Sequence, residues 1–100
     1  MMPEITIEVR KALRGYVLRA LCAASPNHLP ESTLKLSLHT LQALPPADEL
    51  VREINYLRDR GFLETKTVGR PGNEQFLHRI TPDGYELVTG EDDDEHIWIA

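Results

Sequence analysis

The fold is decided by residues 54–84, which read INYLRDRGFLETKTVGRPGNEQFLHRITPDG. Up to Gly61 the apolar residues recur at the spacing of an α-helix. After Gly61 they alternate with polar residues in FLETKTV (62–68) and again in QFLHRIT (75–81), which is the period of a half-buried strand. Between the two lies GRPGNE (69–74), which is rich in turn-forming residues. The stretch therefore predicts a helix followed by a β-hairpin with a loop of about six residues.

Three helices are predicted up to Gly61. Residues 4–24 carry one broad apolar stripe at helical spacing, and residues 25–27, SPN, end it because proline disfavours helical geometry in the residue before it. The second helix is predicted over about residues 30–44, and the third over about residues 46–60 with Gly61 as its stop. The predicted inward positions are Ile5, Val9, Leu13, Val17, Leu21, Leu34, Leu38, Leu41, Leu50, Ile54 and Leu57.

Downstream of the hairpin the sequence predicts one short helix, with Thr81 as its N-cap and Pro82 in its first turn. Leu29 is a candidate for a short third strand before the second helix. This order predicts an α+β, mainly helical domain over residues 1–90. Its elements are those of a winged helix-turn-helix: three helices, a β-hairpin wing and a short C-terminal helix. Residues 91–100 form an acidic tail with an apolar end.

The composition is that of one small domain without a disulfide framework. The chain has 100 residues, of which 41% are hydrophobic, and this length suits a single core. Its one cysteine, Cys22, cannot form a disulfide within the chain. The sequence shows neither a signal-peptide pattern nor an apolar stretch of about 20 residues. The expected location is therefore the cytoplasm, and no membrane partner is predicted.

The net charge of −5 is concentrated near the end of the sequence. Residues 91–95, EDDDE, account for the whole excess, and residues 1–90 hold equal numbers of acidic and basic side chains. A domain with equal numbers of acidic and basic side chains lacks the basic stripe of tight nonspecific DNA binders. The acidic run is predicted to be disordered by self-repulsion. The apolar residues 97–99 are expected to dock on the first helix, on a dimer mate or on a partner protein.

Residues 54–88 resemble the end of winged-helix regulators of the multiple-antibiotic-resistance and arsenic-resistance types. The shared features are a helix that closes on a leucine, the step GFL (61–63) into the first strand, a glycine-rich loop at 69–73, and the step ITPDG (80–84) into the next helix. The resemblance covers about residues 4–90, and the length and second helix also resemble short winged-helix proteins of Mu-like prophages. It implies a transcriptional regulator that binds double-stranded DNA, and a homodimer is expected because two copies would meet spaced half-sites.

The third helix departs from this pattern. Recognition helices of such DNA binders commonly begin with Ser or Thr and carry basic residues, whereas this helix begins PADE (46–49). Four carboxylates are predicted on its exposed face, where they would repel phosphate. They belong to Asp48, Glu49, Glu53 and Asp59. The alternative function is therefore a protein-interaction or adaptor module, in a phage or host assembly, that does not bind DNA.

Six side chains are candidates for DNA contact: Arg52, Asn55 and Tyr56 on the third helix, and Lys66, Arg70 and Arg79 on the wing. Arg52 and Asn55 are suited to guanine and adenine edges in the major groove. Arg70 lies at the tip of a Pro-Gly loop and is suited to a narrow minor groove. An ordinary solvated surface is the alternative at each position. The basic residues of the first helix, predicted as a solvated face, are Arg10, Lys11, Arg14 and Arg19.

No catalytic, metal-binding or cofactor-binding site is predicted, and the chain is not expected to be an enzyme. The four histidines and Cys22 lack the close spacings of zinc ligands. Residues 69–74 lack the Gly-Lys-Ser/Thr ending of a phosphate loop. No serine or cysteine stands at a recognisable spacing from a base and an orienting acid.

Overall fold

The computed structural model describes residues 7–40, 47–90 and 93–99, which form four helices and a three-stranded antiparallel sheet. In chain order the elements are α1 (Ile7–Ala24), β1 (Leu29–Pro30), α2 (Glu31–Thr40), α3 (Ala47–Asp59), β2 (Leu63–Arg70), β3 (Asn73–Ile80) and α4 (Pro82–Thr89). The predicted α+β, mainly helical class and the order of the elements are confirmed. The predicted starts of the first and third helices, at residues 4 and 46, and the predicted end of the second, at residue 44, fall outside the described residues. Within these ranges, no helix has the length and apolar character needed to cross a membrane.

β3 is the central strand of the sheet, with β1 on one side and β2 on the other. β1 pairs with β3 through Leu29 opposite His78 and Pro30 opposite Leu77, which confirms the short strand predicted at Leu29. Because β1 has only two residues, the outer part of β3 pairs with β2 alone. The hairpin therefore projects beyond the body of the domain.

The hairpin is longer, and its turn tighter, than the sequence predicts. Pairing continues as far as Arg70 opposite Asn73, so two residues connect the strands. The prediction of a loop of about six residues is wrong because Pro71 and Gly72 complete the turn. Pro71 fixes its own φ at a negative value, and Gly72 supplies a φ of 85°, which L side chains rarely adopt.

The core lies where α1, α2 and α3 pack against the root of the hairpin. Its buried hydrophobic side chains are Leu13, Val17, Leu18, Leu21, Leu34, Leu38, Leu50, Ile54, Leu57, Leu63, Ile80, Leu87 and Ile97. Ile5 and Leu41 lie outside the described residues, and the other predicted inward positions are all buried except Val9, which is 52% exposed. Each residue turns a helix by about 100°, so Val9 lies about 120° round from Leu21 and about 180° round from Leu18, outside the buried side of α1.

α4 begins as predicted. The Thr81 hydroxyl accepts a hydrogen bond from the backbone nitrogen of Gly84 at 3.1 Å, and Pro82 occupies the first turn. The same hydroxyl donates to the carbonyl oxygen of Gly61 at 2.6 Å. This N-cap therefore also joins the start of α4 to the residues that follow α3.

Residues 93–99, the C-terminal segment, pack on α1. Ile97 is buried, and the backbone nitrogen of Trp98 donates to the carbonyl oxygen of Lys11 at 3.0 Å. Gly15 permits this approach, since a Cβ atom there would lie 1.7 Å from the Trp98 carbonyl oxygen. Of the three docking places that the sequence leaves open, the structure therefore shows the first helix.

Two arginines anchor the same segment from opposite sides. Arg60 donates from Nη2 to Oδ2 of Asp94 at 2.8 Å, and Arg14 donates from Nη1 to the carbonyl oxygen of His96 at 3.0 Å. The predicted disorder of the acidic run is therefore wrong for Asp94. Its carboxylate lies beside a cation of the folded body, and this attraction offsets the repulsion within the run.

Candidate nucleic-acid interface

The solvent-facing side of α3 carries two of the predicted DNA-contacting residues, Arg52 and Asn55, and both are exposed. Helical spacing aligns them with Asp48 and Asp59, which are also exposed. The opposite side of the helix is buried in the core and holds Leu50, Ile54 and Leu57. α3 therefore presents a narrow polar face, which residues 48, 52, 55 and 59 define.

Tyr56 is placed apart from that polar face. It is half-buried on the flank of α3 that contacts α1, with the Arg14 guanidinium 3.7 Å from its ring centroid. Its hydroxyl accepts a hydrogen bond from Nη1 of Arg60 at 2.9 Å. Tyr56 follows Arg52 by one helical turn, but its ring and hydroxyl both serve contacts within the domain.

Glu53 is not exposed, so its predicted place on the polar face is wrong. It is 1% exposed, and its Oε2 atom lies 2.5 Å from Nε of Arg14. Burial of a carboxylate is strongly unfavourable without such a partner. The predicted solvated position of Arg14 is wrong for the same reason, because its side chain is only 14% exposed. The fully exposed carboxylates on the polar face are reduced to those of Asp48 and Asp59.

The remaining carboxylate of the helix, Glu49, is half-buried and pairs with Arg52. The distance from its Oε1 to Nη1 of Arg52 is 3.5 Å, one helical turn apart. The Arg52 side chain remains 59% exposed. The guanidinium of Arg52 is therefore accessible from solvent, although its Nη1 atom lies near the Glu49 carboxylate.

Arg58 is a functional candidate that the sequence analysis did not single out. It is exposed in the last turn of α3 and donates from Nη2 to Oδ1 of Asn55 at 2.5 Å. Its Nη1 donates to the Thr65 hydroxyl on β2 at 3.2 Å. One guanidinium thus links the polar face of α3 to the hairpin. The spacing of three residues between Asn55 and Arg58 is the sequence signal for this contact.

Thr65 continues this chain of hydrogen bonds into the core. Its hydroxyl lies 2.9 Å from Nδ1 of His78, which is 1% exposed, and Nε2 of His78 lies 3.0 Å from Oε1 of Glu31. A carboxylate accepts only, so Nε2 carries the proton and, in the neutral imidazole, Nδ1 accepts from Thr65. In that state Arg58 donates to Thr65, Thr65 donates to His78 and His78 donates to Glu31, so the hydrogen bonds run in one direction from α3 through the hairpin to the start of α2.

The three basic candidates on the hairpin lie in different surroundings. Lys66 is exposed on the face opposite Thr65, and Arg70 is exposed at the last strand pair before the turn. Arg79 lies near the root, where its Nε donates to Oε1 of Glu64 at 2.7 Å and Nη2 contacts the same oxygen. Lys66 and Arg70 thus extend along the projecting hairpin, whereas Arg79 is already paired with an acid.

In the part of the chain that the structure describes, no group of three or more His, Cys, Asp or Glu side chains is arranged to hold a metal ion. Comparisons of the chain with models of protein families, with curated proteins and with solved structures gave no match. Functional statements about this chain therefore depend on its own residues and their geometry.

Proposed function

We propose that this chain is a small winged-helix DNA-binding protein that regulates transcription, with α3 as its recognition helix and the β2–β3 hairpin as its wing. The observation that carries the proposal is the link between these two elements. Arg58 joins the exposed Asn55 of α3 to Thr65 at the root of a hairpin that ends in the exposed Arg70. A reader helix and a projecting basic arm held in a fixed relation suit adjacent grooves of one duplex.

The charges at this surface favour DNA more than the composition indicates. Arg14 sequesters Glu53, so that carboxylate does not face a bound phosphate backbone. The exposed basic side chains on the two elements are Arg52, Arg58, Lys66 and Arg70. Four exposed cations on the two elements are enough for an affinity that is moderate and depends on salt.

The functional unit that we propose is a homodimer, in which two copies would present two α3 helices to spaced half-sites. α1 has an apolar side that supports this arrangement. Tyr16 of α1 is 36% exposed. Trp98 of the C-terminal segment is 49% exposed, and its backbone carbonyl packs against Gly15 of α1. Large apolar side chains of this kind are common at the centre of dimer interfaces.

The proposal is tested by a salt series with the full chain and a random-sequence duplex. If the four cations of each chain each neutralise one phosphate, the logarithm of the association constant falls against the logarithm of the salt concentration. The slope is then about −3 to −4 for one bound chain and about −7 for a bound dimer. Absence of binding at about 50 mM salt would exclude a role in DNA binding. A slope near zero at measurable affinity would show that the phosphate contacts are not made.

The alternative, a protein-docking module, is favoured by exposed apolar side chains on three elements. Leu36 of α2 is 66% exposed, Val51 of α3 42% and Phe76 of β3 44%. A winged-helix frame supports protein docking as well as DNA binding, so the fold alone does not separate the two functions. Loss of the DNA signal in the salt series would leave this alternative as the better account of the surface.

A further inference from the structure

The side-chain amide of Asn55 already accepts a hydrogen bond within the domain. Its Oδ1 accepts from Nη2 of Arg58 at 2.5 Å, so Nδ2 with its two N–H groups is the part that faces a ligand. The other arm of Arg58 donates to Thr65, whose hydroxyl meets the buried His78. The guanidinium is therefore held at two points, and the orientation of the Asn55 amide is fixed before any ligand arrives.

This orientation changes what the amide recognises in a major groove. A free asparagine offers one acceptor and one donor, and so matches the N7 acceptor and N6 donor of adenine. The Arg58 guanidinium occupies one lone pair of Oδ1 and places a positive charge beside it, which disfavours the N6 donor of adenine. The two N–H groups of Nδ2 match guanine, which presents two acceptors, N7 and O6. Adenine offers this amide one acceptor, N7, and the N6 donor of adenine would then face an N–H group of Asn55. Cytosine offers a donor alone.

On the basis of the proposed DNA-binding function, we infer that Arg58 makes Asn55 a reader of guanine rather than adenine. Arg58 is a specificity-determining residue that acts through Asn55, and the sequence by itself predicts the opposite base. The effect on base choice is measured as a preference at one base position, separately from the overall affinity, to which Arg58 also contributes as one of the four exposed cations.

The experiment is selection of binding sites from a randomised duplex library with the full chain and three variants. Asn55→Ala identifies the base position that Asn55 reads, because the preference there disappears. Arg58→Met keeps the length of the side chain but removes its donors, so the amide is free to offer Oδ1 again. Lys35→Met is the control, since it removes a positive charge from an exposed position of α2, outside the proposed recognition helix and wing. Far-UV circular dichroism establishes that each variant is folded.

The unchanged chain is expected to prefer guanine over adenine at this position by about tenfold, the scale of one good base contact. Lys35→Met keeps that preference, whereas Arg58→Met reverses it towards adenine. The inference is overturned if Asn55→Ala leaves every base preference intact, or if Arg58→Met still selects guanine there. A guanine preference that survives Asn55→Ala but is lost in Arg58→Met would show that Arg58 contacts the base directly. Failure of the unchanged chain to enrich any duplex would overturn the proposed function itself.

Discussion

Arg14 of α1 and Glu53 of α3, which are 39 positions apart in the sequence, form a part-buried ion pair with 2.5 Å between Nε and Oε2. The same guanidinium stacks on Tyr56 and donates to the carbonyl oxygen of His96. One side chain therefore joins α1, α3 and the C-terminal segment. Arg14 therefore contributes more to the stability of the domain than the solvated position predicted from the sequence would indicate.

Replacement of Arg14 by Met is expected to destabilise the domain by about 3 kcal/mol, because Glu53 would remain buried without its partner. The measurement is the free energy of unfolding from urea denaturation. Lys35→Met, on an exposed position of α2, is the control and should change stability by less than about 0.5 kcal/mol. The double variant Arg14→Met/Glu53→Leu should recover much of the loss. A loss below about 1 kcal/mol for the single variant would mean that Glu53 is solvated.

Gly15→Ala is expected to have opposite effects in the full chain and in a chain that lacks residues 91–100. In the full chain the new Cβ atom would overlap the Trp98 carbonyl and displace the C-terminal segment, which exposes Ile97 at a cost of about 1–2 kcal/mol. In the truncated chain this obstacle is gone, and alanine stabilises a helix over glycine by about 1 kcal/mol. The test compares thermal unfolding of the four proteins. The same sign in both backgrounds would contradict the docking of this segment on α1.

Thr65→Val is expected to cost about 1–2 kcal/mol, since it removes the hydroxyl that lies between Arg58 and the buried Nδ1 of His78. Thr65→Ser, which keeps the hydroxyl, is the control and should lose less than half as much. Denaturant titration of both variants measures the difference. A larger loss for Thr65→Ser than for Thr65→Val would show that packing of the Thr65 methyl group, rather than its hydrogen bonds, stabilises the root of the hairpin.

Arg70→Ala is expected to weaken DNA binding by about tenfold, because a single guanidinium at the end of the hairpin would enter a narrow minor groove. Fluorescence anisotropy with one duplex at fixed salt provides the measurement. Lys35→Ala removes a charge at an exposed position of α2 and should leave the affinity nearly unchanged. Similar losses for the two variants would argue against a specific role of the hairpin tip.

Periodicity was sufficient to predict the order of the elements, because the change after Gly61 from helical to alternating spacing is a local property. The N-cap at Thr81 and the strand at Leu29 were predictable for the same reason. The turn was not, since a run of turn-forming residues does not show how many of them remain paired. Gly69 and Arg70 continue the ladder in the structure, although their residue types are typical of a loop.

The candidate site was less predictable, because its decisive contacts join residues that are distant in the sequence. Helical spacing leaves Glu53 near the boundary of the buried side of α3, and only the approach of α1 supplies the cation that permits its burial. Arg58 owes its role to Thr65 on another element. The sequence also left three places open for residues 97–99, and the contact of Trp98 with α1 depends on the packing around Gly15.

The length of the hairpin has a mechanical consequence. Five strand steps separate Thr65, which is tied to His78, from Arg70, so the basic end stands about 17 Å beyond the anchored pair. Deletion of the cross-strand pairs at residues 67–68 and 75–76 would draw Arg70 back by about 7 Å on the same face. Deletion of one pair would turn it to the opposite face. The number of residue pairs in the hairpin thus sets how far Arg70 stands from the anchored pair, and with it the reach along a duplex that the proposed function requires.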